Sequence, residues 1–148
     1  MTVGRFNEEL EKKLSDFIAV KHLITVNSAS SANLVVFHTL TPPKLGARAI
    51  KKGDEVNGVA AGFPTTVKPI IQFGAVSVFV DVEICTQSID ASNIEFANSP
   101  KAIMLAHSLA NPFNLEFVTA LCEKYNLLLV ALNMEILETH TTQFKTMH

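Results

Sequence analysis

What this sequence lacks narrows it first. Only 18% of its 148 residues are charged, and 12 lysines and arginines against 14 aspartates and glutamates leave a formal charge of −2. Basic residues cluster nowhere beyond Lys51-Lys52, which argues against a nucleic-acid partner held through its phosphates. Cysteine is scarce too: Cys85 and Cys122 stand far apart, without Cys-x-x-Cys spacing. Two reduced thiols are expected rather than a disulfide framework or a metal site. No apolar run approaches the roughly 20 residues of a membrane span, and Arg5, Glu8, Glu9 and Glu11 break any signal-peptide apolar region. The expectation is a soluble, cytoplasmic protein with neither membrane nor nucleic acid as partner.

What is present is apolar, at 48% hydrophobic residues. A chain of this length buries about 70% of its unfolded surface, and the apolar surplus suggests that a partner subunit covers some of the rest. Phe6, Leu10, Leu14, Phe17 and Ile18 recur at helical spacing, with Glu8/Lys12 and Glu9/Lys13 as i,i+4 pairs. Leu23 to Val26 reads as a short strand. A helix is expected from about Ser30 to Leu40, stopped by Pro42-Pro43. Lys51 to Asp54 reads as a turn into a strand near Glu55 to Ala60. Pro64 suits the first turn of a helix running to about Phe73. Strands near Ala75–Val80, Ile103–Ala106 and Leu127–Leu132, a short helix marked by Ile94 and Phe96, and a helix over Leu115–Tyr125 complete the series.

This alternation implies crossover units, a mainly parallel sheet and a three-layer α/β/α architecture. Ligands of such sheets sit beyond the carboxyl ends of the strands, where Ser28, Gly62, Asp81, His107 and Asn133 fall. Residues 1–132 are expected to form one domain. From 133 to 148 the periodicity fails, and a frayed tail is expected.

Two stretches carry candidate chemistry. Asn27-Ser28-Ala29-Ser30-Ser31-Ala32-Asn33 sets small residues and hydroxyls between a strand pattern and a helical one, where free backbone N–H groups can hold a phosphate. Ser and Asn there are equally the residues of an ordinary helix N-cap. Phe63, ahead of Pro64, offers a ring either to a flat ligand or to the core. His107 ends a strand and reads as a ligand contact or as a structural histidine.

In order and with sensible spacing, several longer motifs then resemble one family. They are Arg5-Phe6-Asn7-Glu8-Glu9-Leu10, Val26-Asn27-Ser28-Ala29-Ser30-Ser31-Ala32-Asn33, Pro43 to Val56, Ala60-Ala61-Gly62-Phe63-Pro64-Thr65-Thr66, Phe79-Val80-Asp81-Val82, His107 to Phe113, and Ala120 to Leu127. Across about Arg5 to Val130 the chain resembles the sugar aminotransferase/dehydrase group of fold-type-I pyridoxal-phosphate enzymes. Within that group it resembles the CDP-4-keto-6-deoxyglucose 3-dehydrase (RfbH-like) branch of lipopolysaccharide O-antigen biosynthesis.

The resemblance implies the large domain of that fold, with pyridoxamine or pyridoxal phosphate (PMP/PLP) as cofactor. It implies removal of the C3 hydroxyl from a nucleotide-linked 4-keto-6-deoxy sugar, a reductase partner that delivers electrons through a [2Fe-2S] cluster, and a homodimer. By the same resemblance Ala29, Ser30 and Ser31 match the phosphate-cradling turn, Phe63 the ring that stacks on the pyridine, and His107 a histidine of the cofactor neighbourhood. A nucleotide-sugar aminotransferase of the same group is the alternative, as is a non-catalytic, self-associating α/β domain.

The departures weigh on the expected activity. Ala29 stands where the family usually has glycine. Ala131-Leu132-Asn133 stands where the family has Glu-Asp-Asn, whose aspartate pairs with the pyridinium nitrogen. The positions of the catalytic histidine or lysine and of the cluster cysteines are not reached. The expectation is a fragment with no cluster, little or no catalysis of its own, and a weakened hold on the cofactor.

Overall fold

A computed structural model describes residues 4–84, 89, 100–107 and 113–133. The first helix, α1, runs Arg5–Phe17 and carries an ion pair from Arg5 Nε to Glu9 Oε1 at 3.4 Å. The second, α2, runs Ala29–Thr39 and gives way at Pro42 to 3-10 turns over Pro43–Arg48. In the turn that follows, Lys51 N–H donates to Asp54 Oδ2 at 2.8 Å, and Gly53 takes φ 86°. That left-handed conformation favours glycine.

Strand β1 (Glu55–Val59) leads to helix α3 (Pro64–Phe73), with Pro64 in the first turn and Gly74 closing it at φ 86°. Strand β2 is Val76–Val80 and β3 is Ala102–His107. Helix α4 (Leu115–Tyr125) is capped by Asn114, whose side chain accepts from Phe117 N–H at 3.0 Å, and it ends at Asn126 with φ 54°. Strand β4 reaches Asn133.

The four strands lie in the order β2-β1-β3-β4, and every pairing is parallel. Side-chain parity then divides the core in two. Val56, Met104, Val130 and Leu132 face Phe37 of α2 and Ile70 of α3. Val59, Val80, Ile103, Leu105 and Ala131 face Val118 and Cys122 of α4. Helices therefore cover both faces, and the expected α/β/α layering is what forms.

One expected element is absent. Leu23–Val26 is irregular and is not a strand. A strand is a relation between two segments, and among the described residues no neighbour lies alongside this one. Its polar groups turn instead to α1: Thr25 donates from N–H and hydroxyl to Glu11 Oε1 at 2.8 and 2.7 Å, and Asn7 Nδ2 donates to Thr25 Oγ1 at 2.8 Å. Those bonds hold the Glu11 carboxyl below its ordinary pKa. The expected helix at Ile94 and Phe96, and the tail from 134 onward, lie outside the described residues.

Candidate phosphate site at the starts of two helices

The first turn of α2 is built by its own polar side chains. Ser28 is the N-cap: its Oγ accepts from Ser31 N–H at 3.2 Å and its hydroxyl lies 3.1 Å from Ser31 Oγ. The Ser31 hydroxyl donates to Asn27 Oδ1 at 2.7 Å. The N-cap reading of this stretch is thus realised, with Ser28 and Ser31 occupied by the cap itself. Ala29 and Ser30, both exposed, stand at the first two helical positions, where N–H groups have no intrahelical acceptor. They present donors at the positive end of the helix dipole.

A second helix start lies beside the first. Asn33, 2% exposed, donates from Nδ2 to the carbonyl of Thr65 at 3.2 Å. Thr65 belongs to the first turn of α3, directly after the carboxyl end of β1. Phe63 is the N-cap residue of α3 and leaves its ring 59% exposed, so it is not spent on the core. Gly62 has a steric reason, since a Cβ there would sit 3.1 Å from the Val59 carbonyl oxygen. Thr66, buried in the same turn, has an Oγ1 with no partner among the described residues. Buried polar atoms are rarely left so.

Ser30 and Ser31 on α2 and Phe63 at the start of α3 therefore belong to helices that cover the same face of the sheet. His107 does not share that face. It shares the parity of Ile103 and Leu105, lies on the α4 face, and stacks on Phe113 with ring centroids 4.4 Å apart at 20°. Its Nδ1 has no partner among the described residues, and burial pushes its pKa below the ordinary value. The ring packs face to face on Phe113.

Leu132 is buried in the layer that also holds Phe37 of α2. An aliphatic side chain there cannot accept a hydrogen bond from a ring nitrogen. The residues present offer a phosphate the free N–H groups of Ala29 and Ser30 and a flat ring the exposed Phe63, while position 132 carries no carboxylate.

Sequence reasoning missed Asn33 and Thr66. An asparagine inside an otherwise apolar helix was the available signal for Asn33. A cleft of 490 Å³ lies elsewhere, lined by Glu8, Glu11, Lys12, Ser15 and residues 21–24, and none of the site residues borders it.

A parallel sheet between helix layers, with two helix starts tied together beyond a strand end, is an architecture this chain shares with solved pyridoxal-phosphate-dependent enzymes. A solved structure of GDP-4-keto-6-deoxy-D-mannose-3-dehydratase from E. coli, with bound hydrated PLP, superposes with a TM-score of 0.83 at 29% identity, covering 95% of this chain and 36% of that one. The chain belongs to the DegT/DnrJ/EryC1/StrS aminotransferase family, whose sequence pattern matches residues 1–131. It is 58% identical over 132 residues, 88% of its length, to the lipopolysaccharide biosynthesis protein RfbH of Salmonella typhimurium strain LT2. It is 42% identical over 137 residues, 91% of its length, to dTDP-4-dehydro-2,6-dideoxy-D-glucose 3-dehydratase of Saccharopolyspora spinosa. The chain spans about 30% of the length of each of these two relatives.

Proposed function

We propose that this chain is the cofactor-phosphate-holding part of a pyridoxamine-phosphate-dependent nucleotide-sugar 3-dehydrase of deoxysugar and lipopolysaccharide biosynthesis. The observation that carries the reading is the Asn33–Thr65 bond, which sets the starts of α2 and α3 side by side. In this reading the Ala29 and Ser30 N–H groups bind the phosphate and Phe63 lies against the ring. When bound, the group supplies an amine for the sugar ketone and a ring that takes up electrons. The substrate of the whole enzyme is a nucleotide-linked 4-keto-6-deoxy sugar, and a reductase supplies its electrons in the cytoplasm.

Leu132 gives the chain an apolar contact where a carboxylate would keep the ring nitrogen protonated, so we assign it phosphate retention with little catalysis of its own. Mixing the chain with pyridoxamine phosphate and passing it through gel filtration tests this by the cofactor absorbance that elutes with protein. Retention at micromolar to millimolar ligand is expected, and none at millimolar ligand would overturn the reading.

A further inference from the structure

Asn57-Gly58 is the single Asn-Gly step in the sequence, and it falls in the middle of β1, the strand flanked by β2 and β3. Asn57 is 1% exposed, stands in register with Ile103, and lies on the face that carries Val59. Its Nδ2 has no partner among the described residues. An amide buried in that way weakens the strand that carries it.

Nothing in the backbone calls for glycine at position 58. The positive φ of Gly46, Gly53 and Gly74 is not found there. A Cβ would lie 3.6 Å from the Met104 carbonyl oxygen, an ordinary contact. What the glycine changes is chemical. With no Cβ beside it, its nitrogen approaches the preceding side-chain amide with less hindrance than that of any other residue.

We propose that Asn57-Gly58 is a deamidation site that the fold keeps closed and unfolding opens, so that time spent unfolded becomes irreversible. In the reaction the Gly58 nitrogen gives up its proton and bonds to Asn57 Cγ, and ammonia leaves. The cyclic imide then takes up water to give aspartate or isoaspartate. In the folded chain Val76 N–H donates to the Asp54 carbonyl at 2.9 Å and Ala60 N–H to the Val80 carbonyl at 3.0 Å. Even-numbered residues of β1 thus turn toward β2, and the Gly58 N–H points into that ladder. The Asn57 side chain stands on the sheet face instead, and the ring cannot close. Either product bars the way back. Aspartate would set an unpaired charge beside Ile103 in the core. Isoaspartate adds a methylene to the main chain and shifts Gly58 and Val59 out of register with Phe79 and Val80.

Incubating the full chain at pH 8 with and without denaturing urea tests this, with peptide mapping by mass spectrometry to follow conversion at Asn57. Conversion is expected to be at least about tenfold faster in urea, because the native ladder must open before the ring closes. Gly58→Ala is expected to slow the conversion in urea by about tenfold or more. Samples diluted from urea at successive times are then separated into folded and unfolded fractions by gel filtration. The folded yield of the parent is expected to fall in step with conversion, with converted chain missing from the folded fraction, while the yield of Gly58→Ala stays level. Equal conversion with and without urea, no conversion in urea, converted chain in the folded fraction, or a freshly unfolded parent that already fails to refold overturns the proposal. No cofactor enters these measurements, so their outcome is separate from that of the phosphate-binding reading.

Discussion

The Asn33 side chain donates to the carbonyl of Thr65, 32 residues further along, at 3.2 Å. The bond joins the second turn of α2 to the first turn of α3 and ties the two helices together near their starts. An asparagine so fully buried is tolerated only because it is paired. The bond acts beside the packing of Phe37 of α2 on Phe73 of α3, whose ring centroids lie 6.0 Å apart.

Asn33→Ala removes the donor and leaves the Thr65 carbonyl without it. The expected loss is about 1–3 kcal/mol of folding stability, read as a lower urea midpoint with unchanged slope. Affinity for pyridoxamine phosphate should fall more steeply than stability, because the helix starts lose their tie. Unchanged affinity in a folded Asn33→Ala variant would show that the tie does not shape the site.

His107 makes stability depend on pH. Burial lowers its pKa in the folded chain from the ordinary 6.5, so the unfolded chain binds the proton more readily. Its contribution is present above about pH 6.5 and is lost as pH falls through the lower folded value. Urea midpoints measured between pH 7.5 and 5 should decline more in the parent than in His107→Gln. Equal declines would place the ring in a solvated setting.

Leu132→Asp puts a carboxylate into the apolar layer beside Phe37. The ligand-free variant is expected to melt several degrees lower, since a buried unpaired acid is costly. Pyridoxal phosphate should then raise its melting temperature more than it raises that of the parent, as the ring nitrogen gains an acceptor. The same ligand-induced shift in both would remove Leu132 from the ring's surroundings.

Cys122 is a buried free thiol whose pKa burial pushes up to about 11. At pH 8 only about one thiol in a thousand is then ionised, and the thiolate is the reactive form. In a Cys85→Ser background, labelling by a disulfide reagent should be slow until denaturant is added, then rapid and complete. Fast labelling in the native chain would contradict the packing of α4 on the sheet.

How much of this was legible in the sequence depended on the range of the signal. Helices α3 and α4 end where expected because their signals are local: Pro64 in the first turn, Asn114 as a cap, and Gly74 and Asn126 at positive φ. Leu23–Val26 looked like a strand from its apolar run, yet a strand needs a neighbour that no local pattern supplies. The turn at Ser28–Ser31 was legible as a cap or a phosphate cradle, and the cap is what its hydroxyls make. The pairing of Asn33 with Thr65 was not legible, because it joins residues far apart in the chain. Ile103, Leu105 and His107 share a face because Ala102–His107 forms one strand. Which helix covers that face follows only from the topology.

Equilibrium dialysis of the chain against pyridoxamine phosphate and, separately, pyridoxamine is the most direct measurement. The two ligands differ only in the phosphate, so their ratio isolates the contribution of the two helix starts. Binding of the phosphate form at least about tenfold tighter is predicted, and Ser30→Asp, which sets a negative charge at the donors, should abolish the difference. Equal binding of both ligands, or a difference that survives Ser30→Asp, would contradict a phosphate site at the start of α2.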